Sequence, residues 1–328
     1  MKILKNLLHY VRFYFQEFDL ALHARRNEWI FVCNASIGDT YLTCALVEAF
    51  KMHTGEGTQV TVVVRPNHEP IPRLFMRHID RIVVRRLVGV LPLVHYCRFH
   101  SGVPIVANPS SYGDGRLGYW GGFPGVTLRH LHAFLLDLPS DAKLSKPEIS
   151  DADQHAAEGL LAGFCVDLKK SVLLAPNAQT VELFPDALWQ KLAVFLVKAG
   201  WTVFINVDPY RPRTVDAAIP LQFPLNLALP IGNCIGWVIS TRSGFCDLLS
   251  QATCRLTVLY PDPWRVKLAV GSGSVDGFKT FDLRAMGLRD DAEQFQLSLG
   301  NAWTDLRDRL SNLQDLHAVY DAEQGVKG

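Results

Sequence analysis

Residues 29–40 read WIFVCNASIGDT, and the pattern that begins with them decides the fold. The apolar run Trp29–Asn34 predicts a buried strand. The apolar residues within Thr40–Thr54 follow helical spacing, and the β-branched run Gln59–Val64 predicts a second strand. A strand, a helix and a strand at this spacing indicate a right-handed crossover within a parallel sheet.

The alternation continues and then restarts after a polar segment. A helix near 73–78 and short strands at Arg81–Val84 and Pro104–Ala107 extend the first half. The polar, proline-containing residues 139–154 suit an interdomain connection. The second half repeats the pattern with a helix at Pro185–Ala199 and with four predicted strands: Ser171–Ala175, Thr202–Val207, Trp237–Ser240 and Arg255–Tyr260.

The two halves predict an α/β protein with two Rossmann-like, doubly wound domains that face a central cleft. We expect an N-terminal domain at 1–150, a C-terminal domain at 155–285, and a helical segment at 290–325 that packs across both. Within 3–22, apolar residues recur every three or four positions, which predicts an amphipathic helix. Such a helix either packs on the fold or lies on an anionic membrane surface.

Composition narrows the class of protein. The chain has 328 residues, a net charge of +1 and 48% hydrophobic residues, which argues for two folded domains and against disorder or a dedicated nucleic-acid binder. Seven cysteines without C-x-x-C pairs indicate reduced thiols, and neither a signal peptide nor a long uncharged apolar run is evident. We therefore expect a cytoplasmic protein.

The first chemical motif follows the first strand. Ser36, Gly38, Asp39 and Thr40 lie between that strand and the next helix, and ligands of open α/β sheets collect outside the carboxyl ends of strands. Asp39 is therefore a candidate cleft carboxylate. The alternative is that Asp39 or Thr40 only caps the helix.

Two further motifs follow strands of the second half. Asn177, Gln179 and Thr180 form a polar turn that offers hydrogen-bond donors, although such residues often only bond their own backbone. The segment from Arg242 through Ser243 and Gly244 to Asp247 resembles a phosphate-holding turn. The alternative for Arg242 and Asp247 is an internal ion pair that shapes the turn.

These motifs resemble those of the GT-B glycosyltransferases, and within them the heptosyltransferase-like group, glycosyltransferase family 9, of bacterial surface-polysaccharide synthesis. The matching signposts are S-x-G-D at Ser36–Asp39, P-x-A at Pro176–Ala178 with its W-helix-G continuation, and S-G at Ser243-Gly244. The resemblance covers about residues 29–65 and 170–265.

The resemblance implies an inverting, metal-independent transfer of a sugar from a nucleotide-activated donor to a saccharide or lipid-linked acceptor. It assigns Asp39 as general base on the acceptor hydroxyl in the N-terminal domain. It places Ser243, Gly244 and Asn177 to Thr180 around the donor diphosphate. Arg242 stands where the family usually has an aspartate, and in this chain it would supply the positive charge. Other GT-B activities, such as a fucosyltransferase or a sugar-nucleotide epimerase, and a catalytically silent glycan- or partner-binding protein remain alternatives.

Neither a cofactor nor a metal is expected. Asp151-Ala152-Asp153 has the form of a metal-binding D-x-D motif, but it falls in the presumed linker. His68, His95, His100 and His132 show no ligand spacing and are interpreted as ordinary polar or core residues. The glycine-rich stretch 108–125 and the arginine-rich stretch 65–98 are candidates for contact with a bulky or anionic acceptor, with a solvated basic face as the alternative.

Overall fold

The computed structural model describes residues 11, 28–33, 36–86, 106–107, 126–179, 181–208, 212–263, 265–267 and 274–311. The chain divides into two compact units. The first comprises Met1–Glu148 and Arg265–Leu288, and the second comprises Ile149–Trp264 and Arg289–Gly328. The predicted helix at 3–22 apart from residue 11, the glycine-rich stretch 108–125, and residues 87–98 of the arginine-rich stretch lie outside the described residues.

The first unit contains a parallel sheet in the order β3-β2-β1-β4. Its strands are β1 (Glu28–Cys33), β2 (Gln59–Val64), β3 (Arg81–Val84) and β4 (Val106–Ala107). Its first four helices are α1 (Ile37–Ala45), α2 (Val47–Thr54), α3 (Pro70–Arg73) and α4 (Leu128–Leu135). The strands are apolar and almost wholly buried in β1 and β2, as expected where helices cover a parallel sheet.

The second unit contains a six-stranded parallel sheet in the order β12-β9-β8-β5-β6-β7. The first four of its strands along the chain are β5 (Ser171–Ala175), β6 (Thr202–Asn206), β7 (Ile219–Leu221) and β8 (Trp237–Thr241). The other two are β9 (Arg255–Asp262) and β12 (Glu293–Ser298). When the strands are numbered in chain order, this is the Rossmann order 3-2-1-4-5-6. Successive strands are added on one side of β5 up to β7 and on the other side from β8 onward.

Helices α5 (Asp151–Ala162), α6 (Asp186–Lys198), α7 (Ala228–Cys234), α8 (Gly244–Leu249) and α10 (Ala302–Ser311) belong to the second unit. Trp189 of α6 and Trp237 of β8 are fully buried in its core cluster, which also takes Leu306 and Leu310 of α10. The described part of the predicted C-terminal helical segment therefore packs within the second unit.

Both sheets carry a buried polar network near the amino ends of their strands. In the first unit Glu28 accepts hydrogen bonds from Thr61 and from Arg81, the latter at 2.6 Å. In the second unit Glu293 accepts from Thr257 at 2.6 Å and from Arg255 at 2.6 Å. These bonds join three neighbouring strands in the first sheet and two in the second.

Several predicted boundaries are corrected. The span 155–285 is too long for the second domain, because Arg265–Leu288 returns to the first unit. This segment forms the hairpin of β10 (Arg265–Lys267) and β11 (Ser274–Asp276) and then α9 (Gly277–Phe281). Arg129 fastens it there by donating to the main-chain oxygen of Met286 at 3.2 Å.

The predicted helices and linker also change in detail. The helix expected over Thr40–Thr54 is two helices that meet at Leu46, and the helix expected near 73–78 is the single turn α3 followed by turns. The segment 290–325 contains a strand, β12, near its start. In the second half of this edge strand polar residues alternate with Phe295 and Leu297. The predicted linker 139–154 ends in the first turn of α5.

Candidate functional site

The first candidate site lies where β1 ends and α1 begins. Ser36 is the N-cap of α1, and its hydroxyl donates to Asp39 Oδ2 at 2.6 Å. The Ser36 amide donates to the same oxygen at 3.1 Å, and the Asp39 amide donates back to the Ser36 hydroxyl at 3.3 Å. This capping box holds the Asp39 carboxylate in one orientation at the carboxyl edge of the sheet. Asp39 is 4% exposed.

Gly38 and Thr40 support this turn. Gly38 is buried in the first turn of α1, and Thr40 donates from its hydroxyl to the Ser36 carbonyl at 2.9 Å. Ser36 is the N-cap, and Asp39 takes part in the capping box. The capping contacts fix the orientation of the carboxylate, which a role in the cleft would also require. Its role as general base stays a prediction.

Two histidines lie beside this turn, which the sequence alone did not indicate. His132 of α4 is fully buried, with Nε2 3.6 Å from Asp39 Oδ1. His68 is buried in a single-turn 3-10 helix, Pro66–His68, with Nδ1 3.4 Å from the Thr40 hydroxyl. His132 and His68 are not isolated polar residues, because they adjoin the Asp39 turn. Nothing local in the sequence of α4 predicts that this helix packs against α1.

Burial governs the ionisation of both histidines. Burial lowers the pKa of His132, against the opposing effects of the Asp39 carboxylate and the Leu128 carbonyl. Burial and then the positive charge of Arg65 lower the pKa of His68 to about 4. Both imidazoles are therefore neutral at pH 7.

The second candidate site lies between β5 and β8, where the strand order of the second unit's parallel sheet reverses. Strands β5 and β8 are neighbours there, and their carboxyl ends lead into the two predicted turns. The Thr241 hydroxyl donates to the Pro176 carbonyl at 3.0 Å, and the Ser240 hydroxyl donates to the Ala175 carbonyl at 3.3 Å. The structure thus brings these two motifs together at the usual ligand position of an open α/β sheet.

Arg242 and Asp247 form the internal ion pair that was one of their two interpretations. Both side chains are buried, and the guanidinium donates to both Asp247 oxygens, at 2.6 and 3.3 Å. Arg242 also donates to the Ser243 carbonyl. Burial alone would lower the pKa of Arg242, but the groups around it, with Asp247 foremost, together more than offset this and raise it. The guanidinium therefore stays charged and the pair braces the turn, while a diphosphate contact by Arg242 remains only a prediction.

Ser243 occupies the N-cap position of α8 without capping it. Its hydroxyl oxygen is buried and has no hydrogen-bond partner in the described part of the chain. A serine at this position usually accepts a hydrogen bond from its own helix, as Ser36 does in the first unit. Ser243 therefore presents a hydroxyl with no partner among the described residues at the end of β8, next to the half-buried Gly244.

The remaining predicted site residues of the second unit are more exposed or not described. Asn177 is half-buried, Gln179 is exposed, and Thr180 lies outside the described residues. Asp39 belongs to the first unit and Ser243 to the second. That the two face one cleft stays a prediction.

The D-x-D motif is part of a helix. Ser150 caps α5, and its hydroxyl donates to Asp153 at 2.7 Å, while Asn226 donates to the other Asp153 oxygen at 2.6 Å. Among the residues that the structure describes, no three histidine, cysteine, aspartate or glutamate side chains are grouped as metal ligands. None of the described helices is long and apolar enough to cross a membrane.

Comparison with known proteins gives relatives by structure only. No protein-family model and no curated protein sequence matches the chain. The chain is similar to the ADP-heptose lipopolysaccharide heptosyltransferase II of E. coli, at 12% identity and a TM-score of 0.58, over 90% of this chain and 99% of that one. It is also similar to a family 9 glycosyltransferase of Veillonella parvula DSM 2008, at 12% identity and a TM-score of 0.55, over 88% and 91%. The predicted GT-B fold, the fold of these heptosyltransferase-like enzymes, is thereby confirmed for this chain.

Proposed function

We propose that this protein is a glycosyltransferase of bacterial surface-glycan synthesis that takes its sugar from a nucleotide-activated donor. Its fold is that of two glycosyltransferases whose chains it covers almost entirely. Because one fold hosts many activities, the residues must carry the argument beyond this likeness. They supply a fixed carboxylate in one unit and, at the switch point of the other, a hydroxyl with no partner among the described residues.

The single observation that carries the proposal is the Ser243 hydroxyl. It is buried beside two strand ends and has no hydrogen bond to any residue that the structure describes, in a sheet whose order is that of nucleotide-binding domains. A buried polar group without a partner is costly unless a ligand satisfies it. A diphosphate oxygen would accept from this hydroxyl, and the Arg242–Asp247 pair would hold the turn in place.

Asp39 would act on the other substrate. Its carboxylate would accept the proton of the acceptor hydroxyl while that oxygen attacks the anomeric carbon and the diphosphate departs with the bonding electrons. Because a single displacement inverts the anomeric carbon, the product would have the opposite configuration. In this proposal protein donors, rather than a metal ion, stabilise the leaving diphosphate, and the acceptor is a saccharide or lipid-linked glycan.

A thermal-shift series with ADP, UDP, GDP and dTDP tests the donor site. We expect one of them, with ADP tried first, to raise Tm, since a ligand at a hundred times its Kd stabilises by about 2.7 kcal/mol. Ser243→Ala should weaken the shift. Ser171→Ala is the matched control, because Ser171 is a buried serine at the opposite end of β5. No shift with any nucleotide would contradict the proposal.

Asp39→Asn separates a transferase from a binding protein. With ADP-heptose and de-O-acylated lipopolysaccharide as probe substrates, we expect turnover to fall by roughly 10²–10⁴-fold. The nucleotide-induced Tm shift should stay unchanged, because Asp39 lies in the unit that does not contain Ser243. Unchanged turnover in this variant would exclude Asp39 as the base.

A further inference from the structure

The imidazole of His132 lies behind the Asp39 carboxylate and has one nitrogen without a hydrogen bond. Its Nδ1 is 3.0 Å from the Leu128 carbonyl oxygen of its own helix. Its Nε2 is buried, lies 3.6 Å from Asp39 Oδ1, and has no hydrogen-bond partner within the described residues. The side chain is fully buried, so His132 itself does not contact a substrate.

The Leu128 contact favours one tautomer of the neutral ring. A carbonyl oxygen only accepts hydrogen bonds, so this 3.0 Å contact is a hydrogen bond when Nδ1 carries the hydrogen. In that tautomer Nε2 is an unprotonated acceptor that faces a carboxylate oxygen. Two acceptors face each other here, and the arrangement becomes favourable when a proton lies between them.

We propose that His132 is a positioning residue that receives the proton taken up by Asp39, an inference that rests on the proposed function. The acceptor O–H bond breaks as its oxygen bonds to the anomeric carbon, and the proton passes to the Asp39 carboxyl group. From Oδ1 the proton moves to His132 Nε2, which restores the carboxylate and leaves an imidazolium beside it. After the products leave, the proton returns through Asp39 to water.

The turn that holds Asp39 directs one of its carboxylate oxygens towards His132. Ser36 donates two hydrogen bonds to Oδ2, and Oδ1 lies 3.6 Å from His132 Nε2. Other titratable groups that interact with Asp39 include His68 in its 3-10 turn and Cys33 at the end of β1, and Arg65 adds positive charge beside His68. The pKa of Cys33 is raised to about 12, chiefly by burial, so this thiol stays neutral.

Nitrogen-15 NMR of the histidine-labelled full chain tests the arrangement without an activity assay. We expect His132 to show a protonated Nδ1 and an unprotonated Nε2 at neutral pH. In Asp39→Asn its apparent pKa should fall, because the carboxylate that favours the imidazolium is removed. The exposed His155 of α5 should be unaffected. A protonated Nε2 tautomer, or no response of His132 to the substitution, would overturn the inference whether or not the protein is a transferase.

Kinetics with the probe substrates then separate proton transfer from structural support. In His132→Gln, which retains a polar group near Nε2 but cannot accept a proton, we expect kcat to fall roughly ten- to a hundredfold. The KM for the donor should stay within about twofold, and the acid limb of the pH profile should move. His132→Asn retains a donor near Nδ1 and should show the same loss if the Gln variant does not fold. His155→Gln is the control.

The two failures give different results. A wild-type protein that binds no nucleotide, but whose His132 responds to Asp39→Asn, would contradict the proposed function and leave the proton-sharing pair in place. A wild-type transferase in which His132→Gln keeps full kcat and an unchanged pH profile would contradict the pair and leave the proposed function in place.

Discussion

Removing Asp247 should strongly destabilise the second unit, because it would leave the Arg242 guanidinium charged and buried. The two side chains are 3% and 2% exposed, and they share two hydrogen bonds at 2.6 and 3.3 Å. Solvent screening, which reduces the value of surface ion pairs, is nearly absent at this depth. We therefore expect Asp247→Ala to lower the free energy of unfolding by about 3–5 kcal/mol.

The chain contains a matched control. Glu69 and Arg73 form an ion pair at 2.5 Å with the same two functional groups, but their side chains are 33% and 65% exposed. Glu69→Ala should therefore cost less than about 1 kcal/mol. The contrast isolates burial, because chemistry and distance are nearly the same in both pairs.

Hydrogen exchange in urea is the appropriate assay, because a chain of two units need not unfold in one step. Amides of β5 and β8 should exchange roughly two to three and a half orders of magnitude faster in Asp247→Ala, since about 1.4 kcal/mol is a tenfold change. Amides of β1 and β2 should not change. The double variant Arg242→Met/Asp247→Leu should recover much of the loss by removing both charges. A loss below about 1 kcal/mol, or a double variant no better than the single one, would refute the reasoning.

Two further predictions concern stability. Gly236→Ala should cost the second unit about 2 kcal/mol or more in urea unfolding, because its new methyl group would lie far inside contact distance of the Lys169 carbonyl. By contrast Gly159→Ala, on an exposed helix position with nothing within 4 Å, should stabilise by about 0.5–1 kcal/mol. The lowered pKa of His68 means that the folded state binds its proton less well than the unfolded state. The free energy of unfolding should therefore include about 3 kcal/mol that is fully present above about pH 6.5 and is lost as the pH falls from there through about 4. His68→Phe should flatten that pH dependence of unfolding, His155→Gln should not, and an unchanged slope in His68→Phe would contradict the assignment.

Local patterns were enough to predict most of the strands. Gln59–Val64, Arg81–Val84 and Ser171–Ala175 have the predicted bounds, because each is a short apolar or β-branched run between polar or turn-forming residues. The strand Glu293–Ser298 was missed because only Leu297 is buried, so its sequence lacks an apolar run. The return of Arg265–Leu288 to the first unit depends on contacts such as Arg129 to Met286, which are distant in sequence.

The candidate sites also combine residues that local sequence patterns predict with residues that only tertiary contacts reveal. Asp39 and Ser243 were identifiable because each follows a strand of a parallel sheet, and such strand ends meet at one edge. The role of Arg242 could not be decided from sequence, because a buried ion pair and a phosphate contact need the same residue types. His132 was missed because its importance comes from the packing of α4 beside α1. Only the folded chain puts its Nε2 near Asp39.

In each sheet the stabilising polar contacts and the candidate site lie at opposite ends of the strands. Near the amino ends, Glu28 accepts hydrogen bonds from a threonine and an arginine on two neighbouring strands, and Glu293 accepts from both residue types on β9, so each carboxylate is hydrogen-bonded within its sheet. At the carboxyl ends, the His132 Nε2 and the Ser243 hydroxyl are buried with no hydrogen bond among the described residues. Since a buried polar group without a partner reduces stability, the proposed substrates account for these two atoms by completing their hydrogen bonds.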